Sequence, residues 1–214
     1  MNTYVKYIFC ALLLTNISKA YSQFFPPVSQ YTPKTYNADN QNWSIDQGAN
    51  GHIYVANNKG LLTYNGEDWH IYNTPNESIM RSVLVDGDKI YTGCFRDFGY
   101  WLKDDTGVLN YTSLTEKLNI NLDQDEQFWK IIRTENNILF QSLENIYSVS
   151  INTNKVKKIS PKNGVYKLFK VGNKLFISQS NHGIFQIKSG KVNLVSDAQV
   201  FKENSVINIY RIKD

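Results

Sequence analysis

The sequence contains an internal repeat in which the same parts follow one another in four successive segments. Each segment opens with an alternating stretch, makes a polar turn, and continues into three more short β-rich runs. The second runs begin at Ile53, Ile90, Ile138 and Leu175, at intervals of 37, 48 and 37 residues. The turns are rich in Gly, Asn and Asp, which reverse a strand tightly. Four antiparallel strands in a unit of about 40 residues form the blade of a β-propeller, so the sequence predicts an all-β propeller.

The repeat also predicts the domain organisation. The predicted blades span, in order, residues 41–76, 78–112, 127–161 and 165–197. Residues 23–40 form a linker before the first blade. An insertion over residues 113–127, with a helical turn at residues 114–118, accounts for the long middle interval.

A further stretch, residues 206–214, alternates like the opening strand of a fifth blade. Because no second strand follows it, we expect an incomplete propeller with four blades and the start of a fifth. The chain is then a fragment of a longer protein or a natural remnant. A closed ring of four blades is the alternative. An open sheet edge favours self-association, so a homodimer is a further expectation.

Three aromatic residues open equivalent first strands: Trp43, Trp129 and Tyr166. The second unit opens at Arg81 instead. Large rings at the start of a repeated strand are typical of a core that is shared by neighbouring repeats. The sequence therefore predicts that the three rings pack between blades.

The first 22 residues have the pattern of a secretory signal peptide. Lys6 precedes an apolar run over residues 7–14, which is too short to span a bilayer. Small residues near Ala20 and Ser22 suit signal peptidase, so we expect cleavage after one of these two residues. An uncleaved anchor helix is the alternative. The protein is therefore predicted to be exported, to the periplasm or the cell envelope.

Composition and charge exclude several classes of protein. The net charge is +4, part of it from the signal peptide, and no basic stripe indicates nucleic-acid binding by this segment. Removal of the signal leaves Cys94 as the one cysteine, so no internal disulfide is expected. No phosphate-binding loop or nucleophile elbow is present.

The residue types that carry catalysis are scattered along the chain. His52, His70 and His182 lie in different repeat contexts and do not share ligand spacing, so neither a metal site nor a cofactor is predicted. The carboxylates of residues 104–105 and 123–126 are predicted to lie in solvated loops. No catalytic residue is therefore assigned.

The first unit resembles the repeat of the two-component regulator propeller family. Residues 57–66 read NNKGLLTYNG and are followed by Trp69, and residues 36–100 are similar to the N-termini of Bacteroidetes sensor-regulators. The resemblance covers about residues 24–210. The third and fourth units depart from the Gly-Leu pattern, with Asn145-Ile146 and Gly183-Ile184.

The resemblance implies an exported, non-catalytic sensor module. Its relatives continue into a triple-tyrosine domain, a membrane helix, and a helix-turn-helix or hybrid histidine kinase part. The 214 residues contain none of these segments, so signal output is expected from domains outside this sequence. A scaffold in a cell-envelope complex and a propeller enzyme acting on polysaccharide are the alternatives.

In a propeller, the loops between the second and third strands of all blades emerge on one face. Polar groups beside aromatic rings suit a glycan or peptide ligand. The predicted ligand-binding residues are Asn58, Lys59, Arg96, Asp97, Tyr100, Trp101, Glu144, Asn181 and His182.

Overall fold

The computed structural model describes residues 26–123 and 125–212. The predicted signal peptide over residues 1–22 lies outside the described residues. The chain divides into two compact units at Tyr31. In the first unit, the described residues 26–31 are exposed and belong to no regular element. All that follows concerns the second unit, from Thr32 onward.

Within the described residues, sixteen strands form four antiparallel sheets of four, and the strands of each sheet follow chain order. Blade one contains β1 (Asn42–Gln47), β2 (Ile53–Asn57), β3 (Gly60–Tyr64) and β4 (Trp69–Tyr72). Blade two contains β5 (Ser82–Asp86), β6 (Lys89–Gly93), β7 (Phe98–Lys103) and β8 (Leu109–Ser113). Blade three contains β9 (Lys130–Arg133), β10 (Asn137–Gln141), β11 (Ile146–Ser150) and β12 (Val156–Ile159). Blade four contains β13 (Lys167–Val171), β14 (Lys174–Gln179), β15 (Gly183–Lys188) and β16 (Lys191–Ser196).

Three short helices accompany the blades. They are α1 (Pro33–Tyr36), α2 (Leu114–Lys117) and α3 (Gln199–Glu203). The first strands β1, β5, β9 and β13 contact one another in succession, which places the blades side by side in chain order. The predicted all-β propeller with four blades is confirmed.

Apolar residues fill the layers between neighbouring blades. Because successive side chains of a strand point to opposite faces, each blade contributes to the layer on either side. In β9, for example, Ile131 faces blade two and Ile132 faces blade four. The layer between blades two and three is the most aromatic. Phe98 is fully buried there, stacked on Phe140 with ring centroids 4.2 Å apart and edge-on to Phe128 at 4.7 Å.

The start of the third strand approaches the end of the fourth closely in blades one and four. At Gly60 the backbone has φ of +140°, and a Cβ would lie 2.2 Å from the carbonyl oxygen of Tyr72. Gly183 occupies the same place in blade four, with a Cβ 2.2 Å from the carbonyl oxygen of Ser196. The glycine of the repeated Gly-Leu pattern is therefore required by this contact.

Replacing Gly60 with alanine is expected to destabilise the protein by roughly 1–3 kcal/mol, because the methyl group collides with backbone at a positive φ. Gly66→Ala is the matched control: Gly66 also has a positive φ, but nothing lies within 4 Å of its Cβ position. Urea unfolding measures both. Equal losses for the two variants would contradict the role given to the close contact.

The insertion between blades two and three is folded against both blades. Helix α2 begins after Ser113, whose hydroxyl caps the amide of Glu116. Asp97 accepts hydrogen bonds from the hydroxyls of Tyr111, Ser113 and Thr115, which ties the start of the insertion to β7. The predicted helical turn is confirmed, one residue shorter than expected.

The prediction that residues 123–126 are solvated is wrong for Glu126, which is 1% exposed. Its carboxylate accepts hydrogen bonds from Ser142 Oγ at 2.8 Å, Asn145 Nδ2 at 2.7 Å and Tyr147 Oη at 2.7 Å. The amide of Asp123 donates a fourth, at 3.1 Å. Burial and the Glu126 carboxylate raise the pKa of Tyr147 well above its ordinary value. Glu126 therefore joins the insertion to blade three.

The stretch predicted to open a fifth blade forms no strand over its described part, residues 206–212. Helix α3 precedes it. A first strand of this fold is held by the second strand of its own blade, and no described residue takes that place. The alternating pattern alone therefore does not produce a strand.

Cys94 directly follows β6 and is 1% exposed. Its thiol donates to the carbonyl oxygen of Asp97 at 3.2 Å. Burial, with a smaller effect of the Asp97 charge, raises the pKa of the thiol to about 12. Because only the thiolate is nucleophilic, Cys94 is a packing residue.

Candidate ligand-binding rim

One end of the propeller collects the features that the sequence assigned to binding. The first strand of each blade begins beside the turn between the second and third strands, since the two strands are antiparallel. In blade one, Asn42 pairs with Asn57 at this end. The openings of the first strands and the β2–β3, β6–β7, β10–β11 and β14–β15 turns therefore share one end.

Four equivalent residues open the first strands at this end: Trp43, Arg81, Trp129 and Tyr166. We call them the rim. The backbone amides of Arg81, Trp129 and Tyr166 each donate a hydrogen bond to the second strand of the same blade, at the end of its pairing with the first strand. The distances to the accepting carbonyl oxygens are 2.8, 2.8 and 2.9 Å. Trp43 occupies the same place but lies at an irregularity in the pairing of β1.

The prediction that the three rim aromatics pack between neighbouring blades is wrong for Trp43 and Tyr166, whereas Trp129 does contact Arg81 of blade two. Trp43 is 40% and Tyr166 43% exposed, and Trp129 is half-buried. In blades two to four, the first core residue of the strand follows the rim residue by two positions, as Ile131 follows Trp129. The rim side chains are therefore in line with the apolar layers but at their solvent end.

The Arg81 guanidinium contacts both indole rings. Its Cζ is 4.1 Å from the ring centroid of Trp43 and 4.5 Å from that of Trp129. The two indoles also meet edge to face, with centroids 5.7 Å apart. Residues from three consecutive blades therefore form one cation–π cluster.

The hydrogen-bonding capacity of Arg81 is only partly used. Its Nε donates to Gln127 Oε1 at 3.0 Å. Its Nη1 is buried and has no acceptor among the described residues. Burial lowers the pKa of Arg81, although a guanidinium stays charged at any physiological pH. The rim thus contains a fixed positive charge with a donor left over.

Two adjoining clefts extend the rim toward blade four. One, of about 390 Å³, lies between Trp129 and Tyr166 and is also lined by Lys130, Gln141 and Lys167. The other, of about 170 Å³, runs from Tyr166 past Ser178 to helix α3. The Ser178 hydroxyl is buried and without a partner among the described residues. Both clefts offer polar groups beside an aromatic ring.

Several of the residues predicted from the sequence lie at this end. Asn58 contacts the rim directly, since its Oδ1 accepts from Trp43 Nε1 at 2.8 Å. Asn181 lines the smaller cleft. The remaining turn residues are exposed at the same end of their blades; they are Lys59, Arg96, Glu144 and His182.

Three of the predicted residues lie elsewhere or serve the fold. Trp101 is 3% exposed, packs between blades one and two, and donates from Nε1 to Thr92 Oγ1 at 3.0 Å. Tyr100 lies in the middle of β7, under the ammonium groups of Lys89 and Lys117. Asp97 is engaged by the three hydroxyls described above. We therefore leave these three out of the candidate site.

The rim itself was not assigned to binding from the sequence. The signal was available: the four unit openings, once aligned, place Trp, Arg, Trp and Tyr at one position. That alignment does not distinguish a ring inside a layer from a ring at its end. Only the exposure of the rings in the structure separates the two.

Comparison with known proteins identifies solved structures of similar fold. No family model matches the sequence. No curated protein matches it either. Among solved structures, the chain is similar to the extracellular domain of a protein assigned to hybrid two-component systems in B. thetaiotaomicron, with a TM-score of 0.63 and 14% identity over 78% of this chain and 26% of that chain.

Two further structures show the same likeness. The extracellular domain of a protein assigned to one-component systems in B. thetaiotaomicron has a TM-score of 0.55 and 15% identity over 71% of this chain and 21% of that chain. Virginiamycin B lyase from Staphylococcus aureus has a TM-score of 0.56 and 14% identity over 71% of this chain and 54% of that chain.

The chain therefore spans between about a fifth and about half of the length of these structures. At such low identity the likeness shows the propeller fold, which is shared by sensor domains and by an enzyme. Among the described residues, no helix is long and apolar enough to cross a membrane.

Proposed function

We propose that this chain is an exported ligand-sensing propeller module of a signal-transduction regulator, and that its ligand binds at the rim. The observation that carries the proposal is the set of half-exposed aromatic side chains around an incompletely paired arginine, at one position in four successive blades. Core residues of a repeat are buried and hydrogen-bonded, whereas Trp43 and Tyr166 are exposed and Arg81 Nη1 has no acceptor among the described residues.

The surroundings support a glycan or a peptide as the ligand. Flat rings beside hydrogen-bonding side chains suit either class. The resemblance of the first unit to sensor-regulators, and the extracellular sensor domains that share the fold, support recognition outside the cytoplasm followed by signalling through other domains. The module has no catalytic role in this proposal.

The alternatives make different demands on the same surface. A cell-envelope scaffold needs a partner protein on the rim or elsewhere. A polysaccharide enzyme needs turnover of whatever binds, and virginiamycin B lyase, which shares the fold, shows that a propeller can carry an enzyme activity. Incubating the protein with each bound saccharide and analysing the products by mass spectrometry separates binding from turnover.

The test is binding to arrays of oligosaccharides and peptides by the unsubstituted protein and by variants of the rim. Trp129→Ala combined with Tyr166→Ala is expected to weaken any specific ligand by about tenfold or more, since each ring contributes about 1 kcal/mol or more of contact.

Tyr100→Phe is the matched control, because it alters an aromatic residue of β7 that is not part of the rim. Thermal unfolding confirms that each variant is folded. A ligand that binds the double variant as tightly as the unsubstituted protein would remove the rim from the proposal.

A further inference from the structure

We infer that the rim recognises an acidic saccharide, and that Arg81 binds its carboxylate. This inference rests on the proposed function, because it names the ligand class of the same surface. It depends on three properties of the described residues: the orientation of the guanidinium, the charge around the clefts, and the shape of the binding surface.

The first property is that Arg81 is oriented before any ligand binds. Contacts with Trp43 and Trp129 and the hydrogen bond from Nε to Gln127 hold the guanidinium in place. Nη1 is buried without an acceptor, and Nη2 forms no hydrogen bond among the described residues, so Nη2 is the donor left for a ligand. A charge-assisted hydrogen bond from a guanidinium to a carboxylate is stronger than a neutral one.

The second property is the charge of the cleft that begins at Trp129, whose ring Arg81 contacts. This cleft is lined by Lys130 and Lys167 and by no carboxylate, whereas the smaller cleft is lined by Lys202 and Glu203. Neither Lys130 nor Lys167 forms an ion pair among the described residues. These two lysines and Arg81 attract an anion and disfavour a cationic ligand.

The third property distinguishes a saccharide from a peptide. The clefts are shallow surface grooves bordered by the rings of Trp129 and Tyr166, with the amide of Gln141 and the hydroxyl of Ser178 beside them. A sugar ring presents an apolar face to an aromatic ring and hydroxyls to such polar groups. A peptide anchored by a large side chain needs a deep pocket, whereas both clefts are open at the surface.

The experiment measures binding to an array in which each uronate-containing oligosaccharide is accompanied by its carboxyl-reduced neutral form. The unsubstituted protein is expected to bind at least one uronate oligosaccharide, and to bind its reduced form about tenfold or more weakly. Arg81→Gln is expected to lose the same factor for the acidic form and to leave the weak binding of the reduced form unchanged.

Lys103→Gln is the control, since Lys103 is an exposed cation at the end of β7, outside the rim, both clefts and the predicted ligand-binding residues. It removes one positive charge without touching the two indoles, so near-native binding is expected. An equal loss in both variants would mean that general charge, and not the oriented guanidinium, attracts the ligand, which overturns the inference.

Other outcomes also overturn it. They are equal binding of acidic and reduced forms, no binding of any uronate oligosaccharide, and Arg81-dependent binding confined to acidic peptides. A neutral saccharide that needs Trp129 and Tyr166 but not Arg81 would overturn the acidic ligand and leave the proposed function intact. Binding that is indifferent to all rim substitutions would overturn both.

Discussion

Replacing Phe98 with alanine is expected to lower the free energy of unfolding by about 3–5 kcal/mol. Phe98 is fully buried and contacts the rings of Phe128, Phe140 and Tyr147. Removing its ring leaves a cavity between blades two and three, which the rigid sheets on either side cannot close. Urea unfolding, followed by intrinsic fluorescence, gives the change as a shift of the midpoint.

Phe201→Ala supplies the control for this experiment. Phe201 is half-exposed on helix α3, so its removal is expected to cost about 1 kcal/mol or less. A midpoint for Phe98→Ala as high as that of the control would mean that the layer between blades two and three does not hold the fold together.

The second large effect is expected at Glu126. Replacing it with alanine is expected to cost about 3 kcal/mol or more, because the hydroxyl of Tyr147 and the amide of Asn145 lose their buried acceptor together. Glu126→Gln keeps the shape of the side chain but replaces one acceptor oxygen with a donor, so a smaller loss of stability is expected. Both are measured by the same urea titration.

Glu144→Ala is the matched variant here, since Glu144 is an exposed carboxylate in the neighbouring β10–β11 turn. It is expected to change the stability by no more than about 0.5 kcal/mol. If Glu126→Ala resembled Glu144→Ala, the hydrogen bonds to Glu126 would not be what fixes the insertion.

The strands of the propeller could be predicted from the sequence because they depend on local signals. Alternation, turn residues and the recurrence of the unit specify them without reference to the rest of the chain. The segment over residues 206–212 shows the limit of this reasoning: it alternates as a first strand does, but a strand also needs a partner for its hydrogen bonds.

Burial at individual positions could not be predicted as well. Glu126 and Asp123 lie three residues apart in an acidic stretch, yet Glu126 is buried and Asp123 is exposed. What separates them is the set of donors on β11 and its preceding turn, which come from about 20 residues further along the chain. A distant partner of this kind leaves no local pattern.

The candidate site and the turns predicted from the sequence lie at the same end of the blades, and Asn58 contacts the rim. Trp101 was assigned to binding but lies in the core. Trp43 and Tyr166 were assigned to the core but are exposed. Both errors follow from the fact that a ring suits a layer and a surface equally well.

The insertion is bonded to both blade two and blade three, which limits where the chain can be divided. Phe128 and Glu126 precede blade three, yet one fills the aromatic layer and the other is surrounded by donors from β11 and its turn. The Arg96 amide and Ser82 hydroxyl of blade two donate in turn to the carbonyls of Glu126 and Phe128. The smallest cooperative unit here is therefore a pair of blades with the segment that joins them, and a permuted or shortened chain should be opened at a hairpin tip of blade one or four.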